Sequence, residues 1–266
     1  MTSAAVTRLP PRHAVADVLI SATTYSEVTS AVMAAAHERR GLLVAATSVH
    51  GVVLAARNRA FREQLNAFDI LTPDGQPLRW ALNGLHGAHL AERVYGPTLM
   101  RSICEAAARE GRSIYLYGGR PEVLERLADR LGPMLPRLRI AGLRSPPFGT
   151  PLPVGDDGDV AAIRESGADV LFVALGCPRQ EQWAFAHRHG LPLPVVCVGA
   201  AFDFHAGVLP QAPSWMQSRG LEWLFRLLVE PRRLWRRYTS IVPIFILLLG
   251  RQFAAQQLHH RPQEDI

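Results

Sequence analysis

A chain of 266 residues with 48% hydrophobic and 20% charged residues can bury a substantial core, and this composition excludes an intrinsically disordered protein. Its formal net charge of +6 and pI near 9.9 favour anionic partners, with nucleic acid, nucleotide phosphates and anionic lipid all admissible. Three cysteines, Cys104, Cys177 and Cys197, have neither the even count nor the density of a disulfide framework, and no basic region followed by a long apolar run marks a secretory signal.

Residues 1–16 read as a flexible tail, residues 17–212 as one folded domain and residues 213–266 as a helical appendage. Val18 to Ser21 reads as a short strand, and Thr24 or Ser26 is positioned to cap a helix over Val28 to Arg39. Leu42 to Ala46 is the next strand, with Thr47-Ser48-Val49-His50 at its carboxyl end. One helix is expected from about Gly51 to Asn66, then a strand over Ala67 to Leu71 that ends in Thr72-Pro73-Asp74-Gly75. The helix Pro77 to Leu85 has few charges, which suggests burial against the sheet or another subunit. His86 to Val94 reads as an exposed connection, followed by Arg93-Val-Tyr-Gly96 and a helix through Arg109.

Ser113 to Tyr117 forms a strand that ends at Gly118-Gly119, and Pro121 starts the next helix. Such a turn before a helix N-terminus can contact a diphosphate or ribose, although it lacks both GxGxxG and P-loop spacing. After a strand over Leu138 to Leu143, residues 144–158 are a loop dense in turn formers. Its Asp156, Asp157 and Asp159 read as a solvated cap, without the ligand rhythm of a calcium loop. No histidine and cysteine grouping has zinc spacing, and His187 and His189 read as surface residues, so no metal or other cofactor is expected.

Val170 to Leu175 and Val195 to Gly199 are buried strands around a helix that begins near Pro178. That is the size of a βαβ unit, with both carboxyl ends on one edge. It brings Gly176, Gln180 and Asp203 to one crevice. The expected fold is therefore α/β: a Rossmann-like, mostly parallel sheet flanked by helices, with a basic amphipathic helical appendage at the C-terminus. In that appendage Trp215, Trp223 and Trp235 alternate with Arg219, Arg226, Arg232, Arg233, Arg236 and Arg237. Two readings stand: a helix lying on an anionic bilayer surface, or a lid whose tryptophans bury into the core. No stacking platform or RNA-binding signature supports nucleic acid as a partner.

Taken in order, several motifs resemble the WecG/TagA/CpsF glycosyltransferase family: Thr47, Thr72-Pro-Asp-Gly75, Arg93-Val-Tyr-Gly96, Leu116-Tyr-Gly-Gly119, Ala174-Leu-Gly-Cys-Pro-Arg-Gln-Glu181, Gly199-Ala-Ala-Phe-Asp203 and Leu221-Glu-Trp-Leu-Phe-Arg226 with Glu230-Pro-Arg-Arg233. The resemblance implies a metal-independent, inverting enzyme at the cytoplasmic face of the cell membrane. It would move a sugar from a UDP-sugar to a polyprenyl-diphosphate-linked saccharide. It also implies Asp74 as the base, with Thr47 and Gln180 beside it, Arg93 among the substrate contacts, and Arg226, Arg232, Arg233 and Arg236 as the best matches for diphosphate ligands. Asp203 is suited to accept a hydrogen bond from uracil or ribose. Ser48 to Gly51 and the tyrosine of RVYG depart from the family's more frequent residues, which bears on the sugars rather than on the reaction type. The competing reading is a non-catalytic nucleotide-binding module recruited to the membrane, and either kind of protein could form homo-oligomers.

Overall fold

The computed structural model describes residues 8–147, 157–213, 215–216 and 219–259. Its centre is a six-stranded parallel sheet of β3 (Leu42–Thr47), β4 (Ile70–Pro73), β5 (Ser113–Gly118), β6 (Arg139–Arg144), β7 (Val170–Ala174) and β8 (Pro194–Cys197). The strands lie in the order β4-β3-β8-β7-β5-β6. Alternation along each central strand divides the interior. Leu43 and Ala45 of β3 face one apolar layer, while Leu42 and Val44 face the other. The first layer is closed by α2 (Val49–Arg57), α3 (Arg59–Asn66), α4 (Gln76–His86), α7 (Asp157–Glu165) and α8 (Arg179–His187). The second is closed by α1 (Tyr25–His37), α5 (Gly96–Glu110), α6 (Pro121–Met134) and α9 (Ala201–His205).

Val18–Ser21 is a strand, β2, but it pairs antiparallel with β1 (Arg12–Val15) in a separate hairpin. Residues 12–15, read from the sequence as tail, are therefore ordered, and the hairpin packs into the first layer through Val15, Val18 and Ile20. The single helix expected over residues 51–66 is two, because Asn58 breaks it and caps α3 by accepting from the Phe61 N–H at 3.1 Å. Thr24 and Glu27 form a reciprocal capping box at the start of α1.

Two side chains differ from their sequence reading. Asp159 is buried rather than solvated, accepting from the Tyr117 hydroxyl at 2.5 Å and pairing with Arg144. His187 is buried against Trp183, whose ring lies 4.8 Å away. Asp156 and the centre of the proline-rich loop lie outside the described residues.

The C-terminal appendage holds α10 (Glu222–Val229) and α11 (Pro231–His259). One face of α11 packs along α2, burying Leu234 and Phe245 with Ile241, Ile244, Leu248 and Leu249 beside them. Gln252 clamps the hairpin, accepting from the Ala16 N–H at 2.9 Å and donating to the Ala14 carbonyl at 2.7 Å. Beside this face rather than across from it, Trp235, Val242, Ile246 and Phe253 are exposed, and Leu247 and Leu258 are exposed on the far side. Within α11, Tyr238–Leu258 is long and apolar enough to cross a membrane, by length and composition.

Candidate active site

Parallel strands put every β-strand carboxyl end of the main sheet on one edge. From there β3 runs into α2 on one face, whereas β8 leads to α9 on the other, which opens a crevice between them. Into this crevice comes the start of α5. A side chain at Gly96 would place its Cβ 2.9 Å from the Val198 carbonyl and 3.2 Å from the Ala46 Cβ, so only glycine brings the helix this close.

Asp74 follows β4 and sits against that helix end. Its backbone N–H donates to the Thr47 carbonyl at 3.0 Å, and its Oδ1 accepts from the Gly96 N–H at 3.1 Å. The residue as a whole is half-buried, while protein atoms crowd its carboxyl. Burial, opposed by Arg93 and the Gly96 N–H, pushes the Asp74 carboxyl up to about 6. Thr47, buried at the end of β3, is held beside it by this backbone bond and by the pairing of Thr47 with Pro73.

Arg93 bridges the site to the appendage. Its Nη1 donates to the Asp74 carbonyl at 3.3 Å, its guanidinium lies 4.5 Å from the Tyr95 ring centroid, and its Nη2 forms a short ion pair with Glu222 of α10. Burial disfavours the Arg93 charge, yet Glu222 and Asp74 raise its pKa above the ordinary value. Arg226, one turn along α10, stands over Phe204 at 5.6 Å, and Phe204 meets the edge of Tyr95. Glu222 escaped the sequence reading as a site residue; its place in the Leu221-Glu-Trp-Leu-Phe-Arg226 motif was the available signal.

Gln180 is buried rather than aimed at open space. Its Oε1 accepts from the Gly199 N–H at 3.0 Å and its Nε2 donates to Glu181, so it braces the loop after β8. Gly176 (φ +76°) and Gly199 (φ +59°) flank it at the ends of β7 and β8, and a Cβ at either would meet open space. Asp203, half-buried on α9, anchors the following turn by accepting the Val208 and Leu209 N–H groups at its carbonyl.

The Gly118-Gly119 turn is tied to its neighbours instead of standing open. The Gly119 N–H donates to the Ala174 carbonyl at 3.0 Å, and the Gly119 carbonyl accepts from the Ser145 hydroxyl at 2.7 Å. Arg232 is exposed near the start of α11; the side chains of Arg233 and Arg236 lie outside the described set. No grouping of three potential metal ligands occurs among the described residues. Burial raises the pKa of the Cys104 and Cys197 thiols, which unsuits both for nucleophilic work.

A family model described as "Glycosyl transferase WecG/TagA/CpsF family" matches residues 13–259. Two relatives carry the name N-acetylglucosaminyldiphosphoundecaprenol N-acetyl-beta-D-mannosaminyltransferase. One, from Bacillus subtilis (strain 168), is 27% identical over 230 residues, covering 86% of this chain and 87% of the relative. The other, from Bacillus spizizenii (strain ATCC 23059 / NRRL B-14472 / W23), is 32% identical over 211 residues and 79% of each chain.

Proposed function

Because the chain belongs to the WecG/TagA/CpsF glycosyltransferase family, we propose that it transfers an N-acetylhexosaminyl unit from a UDP-sugar to an N-acetylglucosaminyl-diphospho-polyprenol, with inversion and without a metal. The relatives' names support this choice of sugar and acceptor within the wider range of hexose, N-acetylhexosamine or uronic acid donors. Asp74 carries the reading: a carboxylate at the crevice, with a pKa near 6 and an arginine at its back.

In this mechanism the acceptor hydroxyl attacks the anomeric carbon of the donor. Asp74 takes the hydroxyl proton as the new carbon–oxygen bond forms. The bond from the anomeric carbon to the UDP oxygen breaks on the opposite side, and the electron pair leaves with UDP. Charge growing on the diphosphate needs cations, which Arg226 and the arginines 232, 233 and 236 would supply from the appendage. Thr47 and Gln180 hold the strand-end loops to which the sugars bind, and Asp203 takes up the nucleoside side.

The same appendage would seat the enzyme on the cytoplasmic face of the membrane. Its exposed tryptophans and α11 ridge supply apolar contact, and its arginines meet anionic lipid. Packing of the other α11 face on the protein favours lying in the interface over spanning. UDP release from a panel of UDP-sugars by full-length protein in liposomes tests the proposal. Release that needs the lipid-diphosphate acceptor and survives a chelator is expected from one donor. UDP binding with no release under any pairing would instead favour a nucleotide-binding module.

A further inference from the structure

We propose that Glu222 is a positioning residue that keeps Arg93 on the backbone of Asp74 and off its carboxylate, so that docking of the C-terminal arm leaves the base able to accept a proton. The inference rests on reading Asp74 as the general base. Glu222 and Arg93 belong to parts of the chain 129 residues apart, and their paired side chains are only 8% and 13% exposed. A buried ion pair gives little net stability over an apolar contact, so packing alone does not account for it. Its geometry does something more specific. One end of the guanidinium is held by Glu222 and the other by the Asp74 carbonyl oxygen, while the Asp74 Oδ1 is taken by the Gly96 N–H.

Without Glu222 the guanidinium would be drawn to the Asp74 carboxylate, the other acidic side chain whose charge acts on it. A carboxylate in direct contact with arginine is a weaker base. The charged and titratable groups that bear on Asp74 are Arg93, Tyr95, Glu222 and Arg226, with Tyr25 of α1 behind them. Among them Arg93 alone donates to both Asp74 and Glu222 in the described hydrogen bonds.

The test is the pH profile of kcat/KM for the full-length protein, Glu222→Gln, Arg93→Gln, the double variant and Asp74→Asn, with thermal melts alongside. Glu222→Gln should move the acidic limb down by about half a pH unit or more and lower kcat about tenfold, with the donor KM changed less than about threefold. In the Arg93→Gln background the same change should move the limb less than it does in the parent and leave kcat unchanged, since only the direct field of the Glu222 charge on Asp74 is then removed. A limb that stays in place, losses that multiply in the double variant, or a fall in melting temperature with the limb unmoved would each overturn the coupling. Persistence of the limb in Asp74→Asn would overturn the base reading itself; its disappearance there, with Glu222→Gln unshifted, would overturn the coupling alone. If Glu222→Gln does not fold, Glu222→Asp keeps the charge with a shorter reach. It should lower kcat, and a wild-type rate would overturn the proposal.

Discussion

At the scale of single residues, Asp74 as the proposed base sets two opposing demands. A base for a sugar hydroxyl must be ionised at working pH, yet its surroundings disfavour the charge and raise its pKa to about 6. The rate should therefore fall below about pH 6 with a slope of one proton and level off above it, which a kcat/KM profile would read directly. Stability runs the other way. The folded state holds the Asp74 proton more tightly than the unfolded chain, so this stabilising contribution is full below pH 4 and lost as pH rises through 6. Asp74→Asn keeps an oxygen for the Gly96 N–H and removes the charge. It should cost transfer about 10²-fold while raising stability at pH 7 by on the order of 2 kcal/mol. The gain should vanish near pH 4 in melts of the two proteins. Asp74 came into view through the resemblance, on the Thr72-Pro-Asp-Gly75 motif; read by itself, an aspartate before glycine is a common turn pair. Glu222 did not come into view, since its partner lies 129 residues away and no local pattern records such a pair.

Among elements, the central strands of the main sheet were legible from continuous apolar runs, which parallel strands buried on both faces require, unlike the half-exposed edge strand β6. What local pattern could not convey was company. Val18–Ser21 pairs with a neighbour outside the sheet, and Asn58 ends a helix through a cap that competes with helical periodicity. Gly118-Gly119 has the look of a phosphate turn, but its cause is closeness to β7. A Cβ at Gly118 would stand 2.5 Å from the Ala174 carbonyl at a φ of +109°. Gly118→Ala should cost at least about 2 kcal/mol in denaturant unfolding, since both sterics and backbone conformation oppose it. The clamp between Gln252 and the hairpin makes a gentler test. Gln252→Ala leaves the Ala16 N–H and Ala14 carbonyl without this partner and should cost about 1–2 kcal/mol, seen as earlier proteolysis of the arm than of the domain.

For the whole molecule, one arm both reaches the crevice residue Arg93 and presents exposed tryptophans. From the sequence alone, the arm reads either as a helix on an anionic bilayer surface or as a lid with buried tryptophans. Trp215, Trp223 and Trp235 are each more than half exposed, so it is Glu222, paired with Arg93, and not these tryptophans that joins the arm to the crevice residues. That leaves the aromatic and aliphatic side chains available outside. Trp235, Val242, Ile246 and Phe253 recur at spacings of seven, four and seven, which sets them along one line of α11, away from Leu234 and Phe245. On the proposed membrane seating, replacing these four exposed residues with serine or glutamine removes apolar contact with lipid but no core packing. The variant should melt within a few degrees of the parent and lose most of its co-sedimentation with anionic liposomes. Its turnover should persist on a short-chain, water-soluble acceptor and fall on a long-chain acceptor in vesicles. Undiminished vesicle binding with a change in oligomeric state by light scattering would assign the ridge to a second copy of the chain. Equal loss on both acceptors would instead tie the ridge to the crevice itself.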